Sequence, residues 1–79
     1  MPTLAQGSGW KITMYPADHN PPHFHIRTRS GEEAQIRLGD MAVMAGSVPA
    51  RVLDEALTWA RANGLALRRK WTELNKVRE

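Results

Sequence analysis

The sequence predicts an α+β fold, a four-stranded antiparallel β-meander packed on one long C-terminal α-helix. Apolar and polar residues alternate in short blocks between residues 10 and 45, which is the period of half-buried strands. Glycine- and proline-containing breaks separate the blocks at the spacing of hairpins. Beyond residue 49 the apolar positions advance in steps of four and three, the signature of a helix with one apolar side.

Residues Met1 to Gly9 read as a loose arm closed by the turn Gly7-Ser8-Gly9. In the first strand, Trp10 to Tyr15, one side carries Trp10, Ile12 and Met14 and the other Lys11, Thr13 and Tyr15. Pro16 through Pro22 is a stiff loop, because each proline fixes its own φ and biases its predecessor toward an extended conformation. The second strand, His23 to Thr28, sends Phe24, Ile26 and Thr28 to the core and His23, His25, Arg27 and Arg29 to the opposite side. The third, Glu33 to Leu38, buries Ala34, Ile36 and Leu38 and leaves Glu33, Gln35 and Arg37 outside. Gly39-Asp40 reads as a two-residue hairpin leading to a short fourth strand, Met41 to Ala45, with Met41 and Val43 joining the core.

Pro49 suits the first turn of a helix, where its missing N–H costs nothing. Leu53, Leu57, Ala60, Gly64, Leu67, Trp71 and Leu74 then lie in phase along one side. Asn63-Gly64 is a break signal, but the phase survives it, so the periodicity favours a single helix from Pro49 to Val77. Such a rod would be about 42 Å long at 1.5 Å per residue and would overhang the sheet. The overhang points to a homodimer. Trp59 and Trp71 are expected in the core with Trp10, Phe24 and Ile26.

At 79 residues the chain forms one domain, residues 1–79, and a core this small covers only about 60% of the unfolded chain's surface. The absence of cysteine excludes disulfides, thiolate metal sites and thiol nucleophiles. No apolar run is long enough to span a membrane and no export signal is visible, so a cytoplasmic protein is expected. The net charge of +3 permits an anionic partner without requiring one. Arg68-Arg69-Lys70 reads as a solvated helix face near the negative end of the helix dipole, with a nucleic-acid footprint as the alternative. Met44 and Leu65 lie off the apolar stripes and are candidate contacts for a second chain.

Met1-Pro2-Thr3, the block Asn20-Pro-Pro-His-Phe-His25, the Gly-Ser-Val-Pro stretch ending at Pro49, and the helix with Ala56-Leu-Thr-Trp59, Asn63, Trp71 and Glu73 occur in this order. Together they resemble the DUF4160 family, a domain of unknown function, across nearly the whole chain. The resemblance implies a small bacterial protein encoded beside another small domain, and hence a toxin–antitoxin-type pair. It implies no set of catalytic residues.

The histidines support three readings. His23 and His25 stand two apart on a strand, so their Cα atoms are about 6.5 Å apart on one face. With Arg27 and Arg37 they supply an acid, a base and phosphate-matching cations for chemistry on RNA, His23 and His25 being the catalytic pair. Arg27, Arg37, Tyr15 and Lys11 would then bind nucleic acid or a partner, with Arg37 beside His25 on one neighbouring strand and Tyr15 and Lys11 on the other. The second reading is metal binding by His19, His23 and His25, with Asp18 nearby, for a divalent transition metal such as zinc; the first reading needs no cofactor. In the third, His23 caps or hydrogen-bonds within the stiff loop, while His25 is a solvated or partner-facing strand residue. A minor alternative makes Pro2 an amine base.

The lead expectation is an RNA-directed or toxin–antitoxin-type component that uses this His/Arg face. The rival is a non-enzymatic module that binds a cognate small protein. Both depend on the two imidazoles projecting from the water-facing side of the sheet.

Overall fold

The computed structural model describes residues 3–15 and 21–75. Five antiparallel strands lie in sequence order: β1 (Thr3–Gly7), β2 (Trp10–Thr13), β3 (His23–Thr28), β4 (Glu33–Arg37) and β5 (Val43–Ser47). Two helices follow, α1 (Ala50–Ala62) and α2 (Gly64–Leu74). The α+β class and the meander are as the alternation predicts, and the number of strands and helices is not.

The fifth strand comes from the segment expected to be a loose arm. Ala5 pairs with Ile12, Gln6 with Lys11 and Gly7 with Trp10, and the intervening turn uses Gly9 at a φ of +81°. A Cβ at Gly7 would fall inside the Trp10 indole, so the glycine lets the ring lie across β1. Leu4 and Ala5 pack against the core from this strand.

On the far side of the sheet the expected Gly39-Asp40 hairpin is replaced by a longer turn. Met41 takes a left-handed φ of +59°, donates its N–H to the Arg37 carbonyl at 2.8 Å, and delays β5 until Val43. Gln35 pairs with Ala45 and Ile36 with Val43, so Met44 is an extra residue, a β-bulge. Met41 does reach the core, whereas Val43 remains 47% exposed because it lies on an edge strand.

The predicted single helix is two. Asn63, at φ −121° and ψ 25°, leaves helical geometry for one residue. Its side-chain Nδ2 donates to the Trp59 carbonyl at 2.8 Å, and its backbone N–H reaches the carbonyls of Trp59 and Ala60. Asn75 repeats the device at the end of α2, where Nδ2 donates to the Trp71 carbonyl at 3.1 Å. Each asparagine satisfies carbonyls that a helix end leaves orphaned. The helix therefore stops at Leu74, and the expected end at Val77 lies outside the described residues.

The core forms where Ile12, Ile26 and Ala34 stand in register across β2, β3 and β4, flanked by Phe24 and Ile36. Val52, Ala56, Leu57 and Ala60 of α1 and Leu67 and Trp71 of α2 complete it. Trp59, expected inside, is half-buried at the rim. The Trp10 indole N–H donates to Glu55 Oε1 at 2.9 Å and ties β2 to α1. No helix among the described residues is long and apolar enough to cross a membrane.

Candidate functional site

From His23 to Ile26, β3 is buried on both faces. Phe24 and Ile26 lie in the core, while His23 and His25, expected to face water, are only 4% and 7% exposed. The alternation placed both imidazoles correctly on the face opposite Phe24, but that face is covered. His23 lies against the Trp71 ring of α2, with centroids 5.3 Å apart, and against His25 at 5.2 Å. Tyr15 meets His25 edge-on at 4.6 Å. The four rings form a continuous row, and an open imidazole surface is not what the fold presents.

Each ring is also oriented by a hydrogen bond. His23 Nδ1 is 2.8 Å from the Pro21 carbonyl oxygen, which can only accept, so Nδ1 carries the proton. His25 Nδ1 donates to Glu33 Oε2 at 2.6 Å, a charge-assisted geometry in which the carboxylate fixes the tautomer and the ring plane. Glu33 lies diagonally across from His25, two positions along β4 from the facing Gln35. Sequence reasoning had Glu33 on this face without assigning it as the partner of His25, although strand parity carries that signal. Thr13, directly opposite His25 on β2, has a buried Oγ1 with no hydrogen-bond partner among the described residues.

The register separates the remaining candidates. Arg37 faces His23 rather than His25, and its guanidinium is committed to Asp40 through bonds of 2.9 and 2.7 Å. That pairing and the Ala42 N–H lower the Asp40 carboxyl to about 2, and Asp40 raises Arg37 above its ordinary value. Lys11 faces Arg27, not His25, and Arg27 faces Glu33 with Nε 3.9 Å from Oε1. Thus the expected phosphate-binding pair, Arg27 and Arg37, is divided between opposite ends of the sheet. Lys11 and Arg27 stand together with Arg29, and Tyr15 belongs to the ring row. His19 and Asp18 of the alternative metal set, and Pro2, lie outside the described residues.

Chemically, the ring row is a polar packing layer. Two imidazoles oriented through Nδ1 hold the start of β3 against Trp71 and against β4. A substrate on this face would meet the rings only after displacing what covers them.

A family profile described as a domain of unknown function, DUF4160, matches residues 9–72. No curated protein and no solved structure matches the chain.

Proposed function

The chain belongs to the DUF4160 family, and we propose that this member is a non-catalytic, cytoplasmic interaction protein of toxin–antitoxin type that docks a cognate small protein along β5. The observation carrying this reading is the state of that strand. All five residues of β5 are exposed, Val43 at 47% and Met44 at 37%, and only β4 pairs with it among the described residues. Such an edge offers backbone donors and acceptors to an extended segment, and its side-chain pockets supply specificity. β5 carries no charged residue to repel a partner strand. The other edge, β1, instead turns Leu4 and Ala5 toward the core.

The burial of His23 and His25 supports the same reading by weakening its rival. General acid–base work needs a ring within hydrogen-bond reach of the substrate. Here both rings sit in a packed row, with Nδ1 bonded to Pro21 and Glu33. The toxin–antitoxin setting comes from the family resemblance, and a strand edge is one physical means by which a small protein of that kind recognises its partner.

The test is co-expression with the small protein encoded by the adjacent gene. Wild-type chain should co-purify with it, and the Val43→Lys/Met44→Lys variant should not. Both positions are exposed, so that variant should lose no more than about 0.5 kcal/mol of stability. Co-purification that survives the double substitution removes the β5 interface. Degradation of cellular RNA on expression, abolished by His25→Gln, would replace it with the nuclease reading. Self-association through β5 would appear as a wild-type dimer in sedimentation that the same variant dissociates.

A further inference from the structure

We infer that the open cleft where the β1–β2 and β3–β4 turns meet binds the phosphodiester backbone of a single-stranded nucleic acid, with Lys11, Arg27 and Arg29 as the phosphate contacts. The site lies at the end of the sheet away from the Arg37–Asp40 turn and does not depend on docking at β5.

The cleft has a volume of ≈ 530 Å³, and Gln6, Lys11, Arg27, Thr28 and Arg29 are its principal polar lining. The two turns that form it are tied together by the Arg29 N–H, which donates to the Gly9 carbonyl at 3.0 Å. Gly9 and Gly31 hold the turns at φ of +81° and +95°, and a Cβ on either would project into open space. The walls are therefore fixed by backbone, while the opening is unobstructed.

The cations meet at a corner of the sheet. Lys11 and Arg27 are directly opposite each other on neighbouring strands, a like-charge pairing that destabilises a sheet unless an anion relieves it. Arg29 lies two residues beyond Arg27 along the chain, just past the strand end, at right angles to the Lys11–Arg27 pair. Two carboxylates lie nearby, and both have other engagements. Glu33 approaches Arg27 only to 3.9 Å and holds His25 at 2.6 Å. Glu32 is bound within its own turn by the Ser30 and Thr28 hydroxyls at 3.2 and 3.3 Å.

An enclosed small anion would need donors converging on one point. Cations spaced over an open cleft rather than gathered round one enclosed point suit a polyanion, and arginine forks match phosphate oxygens. A cleft of ≈ 530 Å³ takes a short stretch of one strand rather than a duplex.

Fluorescence anisotropy with a single-stranded RNA of roughly a dozen nucleotides, matched to typical site sizes, tests the assignment across a salt series. Each lost phosphate contact lowers the slope of log K against log salt by about 0.7 for a single strand. Lys11→Gln/Arg29→Gln should therefore lower it by about 1.4 and weaken binding at least tenfold at low salt. Arg68→Gln/Arg69→Gln removes the same charge from exposed α2 positions and should leave the slope unchanged. Matching amide NMR spectra establish that the variants are folded. Equal losses in both variants would reduce the binding to bulk charge and overturn the site. So would failure to bind either single-stranded RNA or DNA, tighter binding of the duplex or of a polyglutamate peptide, or inorganic phosphate alone saturating the cleft and excluding the strand.

Discussion

His23 and His25 are the residues most suggestive of chemistry, yet both are buried, each with Nδ1 in a hydrogen bond, to the Pro21 carbonyl and to Glu33 respectively. Thr13 beside them is different. Its Oγ1 is buried and, among the described residues, without a hydrogen-bond partner, which forfeits the hydration it would have in the unfolded chain. Thr13→Val replaces that hydroxyl by a methyl of similar shape and should stabilise the protein by about 1 kcal/mol in urea denaturation. A loss of stability would instead mean that the hydroxyl has a partner in solution. Strand parity placed Thr13 and both histidines on one face from sequence alone. It could not show that Trp71, some 46 positions beyond His25 on the helical part of the chain, covers that face next to His23.

The elements show where local signals were decisive and where they were not. Gly46 and Gly64 are both single glycines beside apolar residues, and sequence gives no reason to rank them. Gly46 lies in β5 at a φ of +73°, and a Cβ there would collide with the Glu33 carbonyl oxygen. Gly64 opens α2 with nothing near a would-be Cβ. Gly46→Ala should therefore destabilise by about 1–3 kcal/mol, while Gly64→Ala should stabilise by about 0.5–1 kcal/mol. Thermal melts of the two variants should move in opposite directions, and movement in the same direction would contradict the backbone geometry at one of them. The helix break itself was only half legible. Asn63-Gly64 signalled it, but the apolar stripe continued in phase from Ala60 to Leu67, and periodicity does not register a one-residue departure that preserves the facing side.

For the whole molecule, two carboxylates couple the fold to acid. Asp40, lowered to about 2 by the Arg37 guanidinium and the Ala42 N–H, holds the turn that delivers β5. Glu55 is lowered first by the Trp10 indole N–H and then by Arg51, and it joins the sheet to α1. A carboxyl depressed in the native state binds fewer protons there than in the unfolded chain, so its contribution is present above its unfolded value and lost as pH falls through the native one. For Asp40 the window runs from about pH 4 down to about pH 2. Denaturation midpoints should fall as pH drops through the carboxylate range, less steeply in Asp40→Asn and Glu55→Gln than in the wild type. Equal steepness in all three proteins would assign acid sensitivity to other groups. The helix from whose overhang a homodimer was expected is divided at Asn63, and sedimentation of the wild-type protein tests self-association.

The sequence alone determined the class of fold, the family, the order of β2 to β4, and the inward row of Ile12, Met14, Phe24, Ile26, Ala34 and Ile36. Side-chain direction is a property of a strand's own backbone, so alternation reports it faithfully. What lies above a face belongs to residues distant in the chain, and only the folded structure brought Trp71 onto His23, β1 onto β2, and Lys11, Arg27 and Arg29 to one end of the sheet.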